Sequence, residues 1–343
     1  DHSAARKVLS NAKLTWDLDD GSKVNWIVNH VDMNADDPQG LTRDQWKANP
    51  KQVNDAKNIY DVRKEINQTQ TGLTWTKPLN DQHELYAMAY AGHREVTQYQ
   101  SIPNTAQANP RHAGGVIDFD RNYYGADFRW TGTDLLPNTR ISAGVALDAM
   151  DEDRKGYENY GVKGNYGVKG NLRRNEDNTL WNIDPYLQVS WQFLPTWRLD
   201  TGVRYSNVHY KSDDHYLSNG DDSGKTEYTK TLPSATLSWQ ILPELLAYAS
   251  YAKGFETPTF TEMAYRPDGV AGFNFDLKPS SSDNYEVGLK SENPWGYFTL
   301  AAFQSKTKND IVSYATVLCT RQISQNPYPI KIGRASCRER VSS

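Results

Sequence analysis

The sequence predicts an all-β protein, a transmembrane antiparallel β-barrel wall of about twelve strands, and three observations carry that prediction. Extended segments are joined in pairs by short turns: Asp19–Ser22, Pro78–Asp81, Asp134–Asn138, Leu194–Thr196, Leu242–Glu244 and Asn293–Gly296. The pairs themselves are separated by much longer polar loops, and short turns at one end with long loops at the other is the pattern of outer-membrane barrels. Within the segments, apolar and polar residues alternate. Finally, eight of the ten Trp cluster at the short-turn end: Trp16, Trp75, Trp130, Trp191 and Trp239 just before a turn, Trp26 and Trp197 just after one, and Trp295 inside one. An indole places its ring at the lipid boundary and its N–H in water, so such clustering reads as an aromatic girdle at one interface.

Taken in order, the strands are expected over 7–18, 23–33, 66–77, 82–95, 117–131, 139–149, 180–193, 196–210, 227–241, 245–254, 282–292 and 296–308. A membrane-crossing strand needs about 9–11 residues. The alternation is clearest over 196–206, where Trp197, Leu199, Val203 and Tyr205 share one face and Arg198, Asp200, Gly202 and Arg204 the other. A charge on the lipid side at the midplane costs about 2–4 kcal/mol, which assigns Arg198, Asp200 and Arg204 to a wet lumen. Leu187, Val189 and Trp191 alternate with Gln188, Ser190 and Gln192 in the same way, as do Tyr285, Val287 and Leu289 with Glu286, Gly288 and Lys290. The intervening loops, 34–65, 96–116, 150–179, 211–226 and 255–281, are too long for a compact soluble domain but ordinary at the outer face of a barrel. In the third of them Tyr160–Asn165 recurs at once as Tyr166–Asn171, read as a duplication tolerated at the surface or a small exposed hairpin.

Composition is compatible with this. The 343 residues carry a net charge of −4, which leaves no basic footprint for nucleic acid. Mean hydropathy is −0.77, and no apolar run, Leu245–Ala249 included, comes near the length of a membrane helix. A barrel strand shows lipid only every second residue, so low hydropathy does not argue against membrane insertion. The 21 Tyr and 10 Trp are abundant for so polar a chain. Cys319 and Cys337 both lie near the C-terminus, which leaves the body without a disulfide framework.

Both ends are unusual. Residues from Asp1 onward are polar and strand-like with no signal peptide, as expected of an internal fragment. Residues 1–316 read as barrel. Residues 317–331 lose alternation, as a frameshifted stretch would, and 332–343 resemble translated sequencing-adapter DNA.

Nothing suggests catalysis. There is no H-E-x-x-H, P-loop, G-x-S-x-G or G-x-G-x-x-G pattern. His83, His93, His112, His209 and His215 have no paired spacing, so no metal site and no cofactor is expected. The run Asp151-Glu152-Asp153 is read as a solvated loop tip, with divalent-ion binding near lipopolysaccharide as the competing reading.

Three ordered blocks resemble the TonB-dependent outer-membrane receptor family. The first is Tyr248-Ala-Ser250-Tyr251-Ala-Lys253-Gly254-Phe255-Glu-Thr-Pro258-Thr; the second is Asn274-Phe-Asp-Leu277-Lys278-Pro279; the third is Ser282-Asp-Asn-Tyr285-Glu286-Val-Gly288-Leu-Lys290. Ser280 stands where the family usually has Glu. Within the family, 36–43 and 112–118 look most like the pyrroloquinoline quinone receptor and its siderophore-receptor relatives. The resemblance implies a 22-stranded barrel plugged by an N-terminal domain absent from this chain. It also implies that the TonB–ExbB–ExbD system acts through that plug, and that the barrel sits in outer-membrane lipid and lipopolysaccharide with short turns periplasmic. Twelve strands would then form an open sheet with two unpaired edges.

A receptor of this kind has to capture a polar ligand at its rim. Arginine forks suit carboxylates, and Tyr offers rigid stacking faces. Arg94, Arg111, His112, Tyr123, Tyr124, Arg154 and Tyr157, at outer strand ends or adjacent loops, are the expected ligand contacts. The implied activity is energised uptake of a scarce small molecule, pyrroloquinoline quinone first and a ferric siderophore second. A passive channel and a soluble carbohydrate-binding β-protein are the competing classes.

Overall fold

A computed structural model describes residues 2–54, 59–160, 166–264 and 272–310. The expectations for 311–343, including both Cys and the suspect tail, and for the first copy of the loop repeat at 161–165 lie outside the described residues. Twelve strands form one sheet in sequence order, every neighbouring pair antiparallel. They are β1 Ala5–Asp17, β2 Lys23–Asp36, β3 Arg63–Pro78, β4 His83–Tyr99, β5 Val116–Thr133, β6 Thr139–Tyr157, β7 Leu172–Leu194, β8 Trp197–Asp214, β9 Gly224–Leu242, β10 Leu245–Glu256, β11 Ser280–Asn293 and β12 Gly296–Lys308. Among the described residues, three short helices occupy the long loops: α1 Arg43–Ala48, α2 Asn104–Gln107 and α3 Phe260–Met263. β1 and β12 have no second partner among the described residues, which leaves the sheet open.

All twelve expected strands form, but the middle ones run well past the expected ends. β6 continues to Tyr157 and β7 already starts at Leu172, so most of the expected 150–179 loop is ladder. β8 reaches Asp214 and β9 begins at Gly224. The reason is physical. Above the lipid boundary both faces of the sheet are wet, so apolar alternation stops while backbone hydrogen bonding continues. The loop-tip reading of Asp151-Glu152-Asp153 fails for the same reason: the run lies inside β6.

The two faces are chemically distinct. On the outward face, Phe128, Leu147, Ile183, Leu187, Val203, Leu237 and Val287 form an apolar band. The Trp girdle expected at its short-turn edge is present; Trp197 and Trp239 stack at 5.2 Å and nearly parallel. Trp26 Nε1 donates to Thr71 Oγ1 at 2.8 Å, so its polar edge is satisfied within the wall. Trp181 and Tyr124 mark the opposite edge of the band. From Trp191 to Trp181 is ten residues, about 33 Å along a strand, or roughly 25 Å of bilayer once tilted.

The other face is concave. Its side chains reach across an intervening strand: Tyr90 of β4 donates to Asp148 of β6 at 2.6 Å, Tyr186 of β7 to Asp127 of β5 at 3.1 Å, and Gln68 of β3 to Tyr123 of β5 at 2.9 Å. Glycine makes these reaches possible. Tyr123 lies over Gly92, Tyr90 over Gly125, Tyr186 over Gly144 and Tyr248 over Gly288, each directly opposite in register. A Cβ on any of the four glycines would fall 2.3–2.6 Å from the ring. A glycine that weakens a strand elsewhere is here the slot into which a ring packs flat.

Close apolar packing is concentrated at the long-loop end. Tyr210, Tyr228, Phe260, Met263 and Phe273 form a buried cluster that seats α3 and the loop around it onto β8 and β9. Tyr210 Oη meets Thr257 Oγ1 at 2.8 Å, and Tyr228 donates to the Leu277 carbonyl at 2.7 Å. A Thr259/Glu262 capping box fixes the start of α3.

Candidate functional site

Above the lipid band, the concave face of β3–β8 carries a charged wall. Register places Gln68, Arg94, Arg121, Glu152, Asn178 and Ser212 side by side across six strands. One step further out, Phe119, Arg154, Glu176 and Asp214 form the next row, and Arg174 lies beyond them. Glu152 is fully buried and central: Arg121 Nε donates to it at 2.9 Å, and Arg154 Nη1 approaches at 3.6 Å. Arg174 Nε lies 2.6 Å from Glu176. Arg121 also lies over the Phe119 ring at 4.8 Å, and Arg174 over Phe273 at 5.0 Å. Arg94 donates to Gln68 Oε1 at 2.8 Å, while its own Nε is buried with no hydrogen-bond partner.

Four guanidiniums therefore face Glu152, Glu176 and Asp214. Asp214 accepts the backbone N–H groups of Tyr216 and Asp222, and four guanidiniums against three carboxylates leave cation in excess on this wall. Fixed carboxylates hold the forks in place, and the excess positive charge in a concave, partly desolvated setting attracts anions.

The expected ligand contacts separate. Arg94, Tyr123 and Arg154 lie on this concave wall. Tyr124, one residue from Tyr123, points outward at the lipid boundary, its hydroxyl 3.4 Å from Asp151. Tyr157 lies beneath the Lys169 ammonium at 5.6 Å. Arg111 is exposed in the loop after α2. His112, in the same loop, accepts the Gly114 N–H on Nδ1 at 3.0 Å; burial, with Arg173 nearby, holds its pKa below the usual value. Arg121, Glu152, Arg174 and Glu176 were missed. Their signal was polar alternation continuing past the apolar band, from Arg121 to Tyr123 on β5 and from Glu152 to Arg154 on β6.

Nearer mid-membrane, the same face has a polar hollow of about 500 Å³ lined by Tyr86, Asp127, Arg129, Asp148, Tyr186 and Arg204. Arg204 pairs with Asp184 at 2.7 Å, and Arg198 with Asp200 at 2.9 Å, as expected of lumenal charges.

The family blocks form a joint between β10, β11 and the α3 loop. Tyr248 packs on Gly288 and donates to Glu286; Tyr251 donates to Asp283 at 3.0 Å and tilts onto Tyr285; Lys253 lies 3.4 Å from Asp283. Phe255 and Leu277 pack against the apolar cluster, and Pro258 is buried.

Four of the His residues meet a side chain close by. His83 accepts from Trp130 at 3.2 Å, His209 stacks on Trp181 at 3.8 Å, His215 lies 2.9 Å from Asp177, and His93 meets Glu95 and Asp120. Every one of these partners except Glu95 is on a neighbouring strand, where sequence spacing cannot reveal it.

An apolar outer band, an aromatic girdle and a charged concave face define an outer-membrane β-barrel wall; among the described residues no helix is long and apolar enough to cross a membrane. More particularly, the chain belongs to the family described as TonB dependent receptor-like, beta-barrel, which it matches over residues 14–335. It resembles the ferric citrate transporter FecA in its unliganded form, with a TM-score of 0.72 and 16% identity over 92% of this chain and 45% of that one. The ferric yersiniabactin uptake receptor FyuA from Yersinia pestis is similar, with a TM-score of 0.66 and 15% identity over 89% of this chain and 45% of that one. The vitamin B12 transporter BtuB of Photobacterium profundum is 28% identical over 130 residues, 37% of this chain and 20% of the relative. The chain thus spans less than half the length of these relatives.

Proposed function

We propose that this wall belongs to a receptor for energised uptake of a scarce, anionic, carboxylate-bearing small molecule, a ferric siderophore. The observation that carries the reading is the arginine wall at the long-loop end, where Arg94, Arg121, Arg154 and Arg174 outnumber their carboxylate partners. Similarity to ferric chelate receptors favours a siderophore. Pyrroloquinoline quinone, itself a polycarboxylate, meets the same forks and is the second reading. In this view the long loops are extracellular and the short turns periplasmic. The polar hollow faces a plug carried elsewhere in the full protein, and TonB with ExbB and ExbD moves that plug.

The test is calorimetry of the full-length receptor against pyrroloquinoline quinone and a panel of ferric siderophores, including a carboxylate and a neutral type. Arg94→Ala and Arg154→Ala should each weaken binding of the carboxylate ligand about tenfold or more while the barrel stays folded. Unchanged affinity in both would overturn the site. Uptake that persists after TonB deletion would overturn the energised mechanism and favour a passive channel.

A further inference from the structure

We propose that the outward wall of β4 and β5 carries a divalent transition-metal site built from His93, Glu95 and Asp120. It is separate from the arginine wall: His93, Glu95 and Asp120 alternate with Arg94 and Arg121 and so point away from the lumen. It lies one step beyond Ala91 and Tyr124, where the apolar band ends and water begins.

Two observations lead here. The first is proximity of donor atoms. His93, Glu95 and Asp120 each offer one ligand atom, all within 4.8 Å of one another. His93 Nε2 is 3.4 Å from Glu95 Oε1, and Nδ1 is 3.4 Å from Asp120 Oδ1 and 2.9 Å from Asn122 Oδ1. Donors around a tetrahedral ion with bonds of about 2.1 Å stand about 3.4 Å apart, so the cluster already has the right scale. With Nδ1 as ligand, Asp120 and the Asn122 amide oxygen are in place, and the flexible Glu95 stem supplies the remaining donor.

The second is an electrostatic conflict in the ladder. Glu95 is directly opposite Asp120, and Asp120 directly opposite Asp153, giving three carboxylates in one row across three strands. Like charges directly opposite destabilise a sheet. Lys155 pairs with Asp153 at 2.6 Å and relieves only that end of the row. A dication between β4 and β5 neutralises the Glu95–Asp120 end and staples the two strands. The imidazole selects the metal: a nitrogen donor with carboxylates suits zinc, nickel or copper, whereas a site of oxygens alone would suit magnesium or calcium.

The test is titration of the full-length receptor in detergent with zinc alone, against His93→Ala, Asp120→Asn and His215→Ala. The third variant removes another outward His–Asp pair and serves as the control. Folding of each is checked by whether the barrel resists SDS until heated. We expect one zinc site that weakens tenfold or more in His93→Ala and Asp120→Asn, is unchanged in His215→Ala, and survives excess calcium. Zinc should raise the melting temperature of wild type but not of His93→Ala. Equal zinc affinity in wild type and His93→Ala, or displacement by calcium at comparable concentration, would overturn the proposal. If His93→Ala does not fold, the calcium competition on wild type still decides.

Discussion

The most deeply buried carboxylate of the arginine wall is the one with the most partners. Glu152 is reached by two guanidiniums and by the Asn178 amide at 3.4 Å, which makes it the pivot of the arginine wall. His112 works through its neutral form, because Nδ1 must accept the Gly114 N–H. Burial lowers its folded pKa below the unfolded value of about 6.5. The open loop therefore binds the proton more readily, and the stability this contact gives is present above pH 6.5 and lost as pH falls through the folded value. Hydrogen exchange at Gly114, corrected for intrinsic rate, should accelerate between pH 7.5 and 5.5. An unchanged protection factor would show that the contact does not hold the loop.

At the scale of the strand, the facing assignments make opposite demands on neighbouring residues. Val203 faces lipid on β8, and Val203→Arg should cost about 2–4 kcal/mol, whereas Arg198→Leu on the lumenal face should be tolerated. Urea unfolding in lipid vesicles checks this; equal losses would count against the assignment. The glycine slots make a sharper demand. Gly144→Val would drive a side chain into the Tyr186 ring and should destabilise by about 1–3 kcal/mol, and Tyr186→Ala in the same chain should recover part of the loss. Strand number, order and facing could be read from alternation because lipid enforces it on one face. Strand ends could not: Glu152 and Glu176 lie where both faces are wet, and only the hydrogen-bonded ladder, invisible in the sequence, says that the strand continues.

For the whole molecule, the open sheet is the dominant fact. Among the described residues, β1 and β12, thirteen residues each, have an edge with no paired strand. Exposed edges of that length pair with other chains. Expressed alone in detergent, this segment should self-associate on size exclusion, while the full-length receptor runs as a discrete species; a monodisperse segment would mean the edges are covered in another way. The motif-bearing joint at β10 and β11 made the family legible in the sequence. The arginine wall was legible only in part, since Arg94 and Arg154 stand out as charges at strand ends, but their neighbours Arg121, Glu152 and Arg174 become one site only when six strands align.

The tyrosine rings lying in glycine slots have one more consequence. A hairpin joining a growing sheet could slip by two residues and still put its apolar side toward lipid, so hydrophobicity cannot tell correct pairing from that error. The rings can. Shifted by two, Tyr90 would meet Asp127 or Tyr123 instead of Gly125, and Tyr186 would meet Ser142 or Ala146 instead of Gly144. Each slot therefore acts as a proofreading step for the strand that carries it, and the wall checks its own alignment as it is assembled.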